Sequence, residues 1–250
     1  MSDINYYTKD YWHKLREHTT ARIALGRAGG SLNTAEQLKL FQAHAMARDA
    51  VHAVMDIELL SRQMEEFGLD TIHLQTEAAE REQYLLRPDW GRKLNSESHD
   101  LLQKHQSNSE IALIVGDGLS AKAVNTHIQP LFKELLPKLS AYRLAAVSLV
   151  CQARVAVSDE IGAGLGCQMA VIFLGERPGL SSPDSLGIYL TYAPKPGQTD
   201  ESRNCISNVR PQGMPYVIAA EKLAYLISEA MRRKISGVSL KDDLQIKLEG

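Results

Sequence analysis

The stretch Val171-Ile172-Phe173-Leu174-Gly175-Glu176-Arg177-Pro178-Gly179-Leu180 decides the reading of the fold. It opens as a continuous apolar run, the pattern of a buried strand, and a charged loop broken by Gly and Pro follows at once. In open α/β sheets, ligands collect beyond the carboxyl ends of the strands, which makes this loop a candidate site. Two further segments belong beside it: Val150-Cys151-Gln152-Ala153-Arg154-Val155 and Arg203-Asn204-Cys205-Ile206-Ser207-Asn208-Val209-Arg210.

Working outward, strands are expected at Ile111–Val115, Leu144–Val150, Met169–Leu174 and Ile188–Tyr192. Between the first two lies a helical pattern with Val124, Ile128, Leu131 and Leu135 on one face, where Pro130 marks a kink or a break. Ser158 or Asp159 can cap a short helix running to Gly166. Pro215 stands where a first-turn proline belongs, ahead of a stripe of Tyr216, Ala219, Leu223, Ile227 and Ala230. Strands separated by helical patterns imply an α/β fold, with a largely parallel sheet flanked by helices, over residues 106–250.

Residues 1–105 read as a mainly helical, polar region. Tyr7–His18 has the pattern of a short amphipathic helix. Thr34 and Gln37 have capping-box spacing, and a helix is expected from there to about His52, with Leu40, Ala47 and Val51 along one stripe. The segment from Thr71 to Leu86 is ambiguous, with short strands expected at Thr71–Leu74 and Tyr84–Leu86. Arg87-Pro88-Asp89-Trp90-Gly91-Arg92 is a turn, because Pro88 disfavours helix at Arg87 and Gly91 permits a reversal.

Composition narrows the function classes. The 28 basic and 30 acidic residues nearly cancel, which argues against an electrostatic design for nucleic acid or an anionic membrane. No apolar run approaches the ~20 residues of a membrane-spanning helix. Met1–Thr20 is polar and lacks the apolar core of a secretory leader. Three widely spaced cysteines, Cys151, Cys167 and Cys205, suit a reducing compartment better than a disulfide framework. A cytoplasmic protein is the expectation.

Gly116-Asp117-Gly118-Leu119-Ser120-Ala121 fits the relaxed dinucleotide pattern G-x-G-x-x-A between a strand and a helix. Yet the next expected strand ends in Cys151-Gln152-Ala153-Arg154, without the acidic residue that would hold a ribose diol. An NADP site using Arg154 and a tight strand-to-helix turn without a ligand are the alternatives. Arg154, Glu176 and Cys205 follow different elements of the same sheet region. An Arg and a Glu so placed usually form a salt bridge on a solvated loop, and that is the first reading. The functional alternative is a polar rim around a large amide-bearing ligand, with Arg donating, Glu accepting and the small thiol packing on a flat ring. The eight histidines show no metal-binding spacing, and no G-x-S-x-G elbow or P-loop lysine occurs. No self-contained catalytic centre is legible, so no catalytic residue or metal ligand is assigned.

Five stretches in fixed order carry a family resemblance: Arg22-Ile23-Ala24-Leu25-Gly26-Arg27-Ala28-Gly29, Arg87-Pro88-Asp89-Trp90-Gly91-Arg92, Asp117-Gly118-Leu119-Ser120, Gly175-Glu176-Arg177-Pro178-Gly179-Leu180 and Cys205-Ile206-Ser207-Asn208. Through them the chain resembles the small (light) subunits of ethanolamine ammonia-lyase, over nearly its whole length. The resemblance implies a Rossmann-like cobalamin-binding domain at 106–250. It also implies a TIM-barrel large subunit as partner in a hetero-oligomer, with ethanolamine bound on that partner and adenosylcobalamin held between the two. The implied activity is that of a carbon–nitrogen lyase working only with the large subunit. Cobalt–carbon homolysis, hydrogen abstraction from ethanolamine, loss of ammonia and release of acetaldehyde are its steps, and the cofactor carries the radical chemistry.

By the matching motifs, cofactor contacts fall on Arg154, Val155, Glu176 and Cys205. Arg154 and Glu176 would bond amide arms of the corrin, and Val155 and Cys205 would touch it through backbone or packing. The chain lacks D-x-H-x-x-G, and His127 lies in Asn125-Thr126-His127-Ile128-Gln129-Pro130. The resemblance therefore implies that cobalt keeps its own dimethylbenzimidazole, with no histidine ligand from the protein. Some members of that family carry a longer N-terminal extension associated with a bacterial microcompartment. Here the first motif begins about 20 residues in, and plain cytosol is favoured over encapsulation.

Overall fold

The apolar runs form six strands: β1 (Thr71–Gln75), β2 (Ile111–Gly116), β3 (Val147–Cys151), β4 (Met169–Gly175), β5 (Leu186–Tyr192) and β6 (Asn204–Val209). They make one sheet of order β1-β3-β2-β4-β5-β6 in this computed structural model, which describes residues 12–19 and 21–243. β2 and β4 are buried at every position, as expected for central strands covered on both faces.

The sheet is mixed, which corrects the expectation of a largely parallel one. β1, β3, β2 and β4 pair in parallel, whereas β5 runs antiparallel to β4, and β6 antiparallel to β5. The reason lies in the connections. A parallel return needs a crossover, usually helical. The 176–185 loop contains no helix, and only a single 3-10 turn, Asp200–Ser202, interrupts 193–203.

Eight α-helices complete the described residues: α1 (His13–Arg16), α2 (Thr34–His52), α3 (Ile57–Glu66), α4 (Arg81–Leu86), α5 (Ser96–Lys104), α6 (Ala121–Leu135), α7 (Val157–Gly164) and α8 (Tyr216–Arg233). One face of the sheet packs on α3, α6 and α8 through Met64, Val124, Ile128, Leu131, Phe132, Leu223 and Ile227. The other packs on α5 and α7 through Leu102, Val157 and Ile161. The stripes expected on α6 and α8 face this core, and Pro130 lies within α6. Among the described residues, no helix is long and apolar enough to cross a membrane.

Several local expectations change. The stretch 84–86 is not a strand but the end of α4, because helical spacing brings Arg81 over the Tyr84 ring at 4.8 Å. Helix α2 is capped by Asn33, whose side chain accepts from Glu36 N at 3.0 Å, and not by Thr34. Ser158 and Asp159 lie inside α7, where Asp159 is claimed by Arg203. Of the helix expected over Tyr7–His18, only the single turn α1 is seen; positions 7–11 fall outside the described residues. β1 is formed within the first hundred residues and is an edge strand of the common sheet.

Candidate functional site

Because β2, β3 and β4 are parallel, their carboxyl ends meet at one edge of the sheet. The loops that follow them line a cleft of about 400 Å³, walled by Tyr84, Gly118, Arg154, Val155, Glu176 and Tyr189. The structure thus brings together Arg154, Val155 and Glu176. Cys205 is one step removed: it stands on β6 directly opposite Tyr189 of β5, exposed on a part of the sheet face that α5 and α7 leave bare.

The loop after β2 is packed against the loop after β4. Gly118 adopts φ +55°, and a Cβ there would collide with the carbonyl oxygen of Gly175. Leu119 N donates to that same oxygen at 2.8 Å. Ser120 caps α6 and donates its hydroxyl to Pro183 O at 3.1 Å. Gly118 of the G-x-G-x-x-A stretch therefore serves loop-to-loop contact.

The loop after β3 is gripped from several directions. Ala153 N donates to Asp117 Oδ1 at 3.0 Å, and Ala153 O accepts from the Tyr84 hydroxyl at 2.9 Å. Arg154 N donates to Gly91 O at 2.7 Å, and Gln152 O accepts from Thr76 Oγ1 at 3.1 Å. Asp117 is almost fully buried; burial pushes its carboxyl up, while the Ala153 N–H and the Arg81 guanidinium work the other way. Arg81 donates to Gly118 O at 2.8 Å and Val51 O at 2.7 Å, so α4 ties the end of α2 to both loops.

The side chains at the cleft differ in how far they are already satisfied. Arg154 lies over the Tyr84 ring at 4.4 Å, and its buried Nε has no hydrogen-bond partner. Glu176 accepts from Asn208 N at 3.3 and 3.2 Å, linking the loop after β4 to β6. Desolvation raises the Cys205 thiol, with a hydrogen bond from Tyr189 opposing it. Tyr189 is itself raised, first by burial and then by the neighbouring Cys205. This collection can donate to carbonyl oxygens, accept from amide N–H groups and offer an aromatic wall, but it contains no nucleophile paired with a base. His127 lies elsewhere, buried in α6 with Nδ1 at 2.8 Å from the Tyr216 hydroxyl.

Sequence reading missed Tyr84, Arg81 and Tyr189, and quoted Asp117 within two motifs without giving it a role. Only Gly91 gave a hint, because a Cβ there would fall 2.9 Å from both Arg154 Cγ and Tyr84 Cε2. A glycine in a turn motif thus flagged a crowded neighbourhood without showing what crowds it.

Comparison with known proteins covers nearly the whole chain. Residues 9–241 match the family described as ethanolamine ammonia-lyase light chain (EutC). A protein of Azotobacter vinelandii named ethanolamine ammonia-lyase small subunit is 52% identical, over 100% of this chain and 95% of its own. The protein of that name from Pseudomonas syringae pv. tomato is 54% identical, over 94% of this chain and 84% of its own. A third, from Xanthomonas campestris pv. campestris, is 48% identical over 100% and 94%.

Proposed function

This chain belongs to the ethanolamine ammonia-lyase light-chain family, and from that premise we propose that it is the cofactor-holding small subunit of an enzyme converting ethanolamine to acetaldehyde and ammonia. Adenosylcobalamin is the cofactor we assign to the cleft, shared with a large subunit that binds ethanolamine. The parallel part of the sheet serves as the Rossmann-like platform. The observation that carries this reading is that the residues to which the resemblance assigns cofactor contacts meet at one sheet edge: Arg154, Val155 and Glu176 around the cleft, with Cys205 beside it.

The donor set supports the fit. Arg154 Nε is buried and unpaired, a donor in want of an acceptor such as an amide carbonyl. Glu176 has lone pairs beyond those used by Asn208 N and would accept from an amide N–H. Val155 and the bare strand face at Tyr189 and Cys205 offer a surface for the edge of a flat macrocycle. A cleft of about 400 Å³ is far smaller than a corrinoid, which favours a site completed by the partner.

When bound, the cofactor supplies radical chemistry through homolysis of its cobalt–carbon bond. This chain's share is positioning. Arg154 and Glu176 would fix the macrocycle's rotation through paired donor and acceptor contacts, and the packed Gly118–Gly175 loops would set its depth. His127, buried and bonded to Tyr216, does not line the cleft.

The test is ammonia or acetaldehyde release by this chain co-purified with a large subunit, with and without adenosylcobalamin. Cofactor-dependent turnover absent from either chain alone is the expected result. A well-formed complex that stays silent with ethanolamine would refute the proposal.

A further inference from the structure

Arg154 is held in an unusual way for a half-buried guanidinium. Among the described residues it forms no ion pair, and its charge is met instead by the face of Tyr84, with the guanidinium carbon 4.4 Å from the ring centroid. The distinction matters chemically. A carboxylate partner would consume two of the five N–H donors of an arginine, whereas a π face consumes none. Arg154 is therefore oriented while its donors remain available, and its Nε is buried without a partner.

Tyr84 is itself rigidly placed. It is fully buried, and it forms the floor of the cleft. Its hydroxyl donates to Ala153 O at 2.9 Å, the carbonyl immediately before Arg154. Arg81 lies against the same ring at 4.8 Å and is anchored in turn on Gly118 O and Val51 O. Gly91 leaves the space the pair needs, and its carbonyl takes the Arg154 N–H at 2.7 Å. Burial is the first cause of the raised phenol pKa, with Arg154 opposing it, so the hydroxyl stays protonated and able to donate. One side chain thus controls both the backbone and the guanidinium of Arg154.

We infer that Tyr84 is a positioning residue of the cofactor site, setting the Arg154 guanidinium for a hydrogen-bond acceptor on the ligand through its ring and its hydroxyl together. The inference rests on the cofactor reading above and goes beyond it in assigning a role to a residue outside the family motifs quoted. Tyr84 acts through Arg154 and not on the reacting atoms, so its loss should raise the apparent Kd for adenosylcobalamin far more than it lowers kcat at saturating cofactor.

The test uses the complex with the large subunit and measures adenosylcobalamin binding by its absorbance spectrum, together with turnover and thermal unfolding. Tyr84→Phe keeps the ring and loses the bond to Ala153 O, and should weaken the cofactor by roughly 3–10-fold. Tyr84→Leu loses the π face as well and should weaken it by roughly 10–100-fold. In an Arg154→Gln background, Tyr84→Leu should add no more than about twofold, because the positioned group is gone. Unchanged Kd in both Tyr84 variants, or an equal penalty with and without Arg154, would overturn the inference and leave Tyr84 as a packing residue. Should Tyr84→Leu fail to assemble, Tyr84→Phe decides alone, since its volume is conserved. Wild-type complex that binds no adenosylcobalamin sinks the functional reading itself; wild-type binding with undisturbed Tyr84 variants sinks only this inference.

Discussion

Replacing Asp159 by Asn would probe the most deeply buried ion pair among the described residues. Asp159 on α7 and Arg203, which leads into β6, form a two-pronged pair with Nη1–Oδ1 at 2.7 Å and Nη2–Oδ2 at 2.8 Å. The Asp159 and Arg203 side chains are only 1% and 2% exposed, so water screens the pair little. Burial works against the charge on Arg203, but the Asp159 carboxylate outweighs it and holds that pKa up. Asp159→Asn leaves the buried guanidinium with only the exposed Asp200 carboxylate, 3.4 Å from its Nε, as counter-charge, a loss towards the lower end of about 3–5 kcal/mol. For a chain of this size that corresponds to a fall in Tm of roughly 6–20 °C.

The paired change Asp159→Leu with Arg203→Met removes both charges and should recover most of the loss. Recovery stays incomplete because Thr191 Oγ1 and Gln198 O, at 3.2 and 3.1 Å from the guanidinium, lose their partner. The assay is thermal unfolding of the purified assembly near neutral pH, followed by circular dichroism, for wild type, both single changes and the double. A shift below about 2 °C for Asp159→Asn would refute the argument that the pair is desolvated. A double variant as unstable as Asp159→Asn would show that shape, not charge, is what the site requires. Because the pair joins the segment after Arg154 and Val155 to the strand bearing Cys205, Asp159→Asn should also weaken adenosylcobalamin binding.

Other expectations are independent of that pair. Glu176→Ala strips the acceptor from Asn208 N and should weaken cofactor binding by about 1–3 kcal/mol; titration of the complex with adenosylcobalamin checks this, and unchanged affinity speaks against the contact. Gly118→Val forces a branched side chain into a left-handed position against Gly175, so soluble yield and Tm should both collapse; a folded, cofactor-binding variant would show that the loops can separate. His127 supplies a pH signature. Burial lowers its pKa below the ordinary 6.5, with Asp184 opposing and Arg210 reinforcing the shift. The unfolded chain then binds the proton more readily, so its contribution to stability is present above that value and is lost as pH falls through it towards the depressed folded pKa. Urea unfolding at about pH 7.5 and about pH 5.5 should show a larger acid loss for wild type than for His127→Gln, and equal slopes would contradict the assignment.

What could be read from the chain is what is written locally. The buried strands β2 and β4 announce themselves as continuous apolar runs because both their faces are covered, and α6 and α8 as helical stripes because burial on one face imposes a period on the residues themselves. The Gly118 turn and the loop after β4 were legible for the same reason, as punctuation directly after a strand. The mixed sheet was not legible in this way: helical patterns between the earlier strands implied a largely parallel order, and it is the structure that shows 176–185 to hold no crossover helix.

Tertiary structure alone decided the rest, because those contacts join residues that no period relates. Tyr84 meets Arg154 and Ala153 across some seventy positions, a separation of 69 for the hydroxyl bond, and its short helix is stabilised by what it packs against and not by its own pattern. Asp159 looked like a helix cap until Arg203, 44 residues away, claimed both its oxygens. A sequence records which side chains are available to donate, accept or stack, whereas the partner each one finds depends on how the sheet brings distant loops to a common edge.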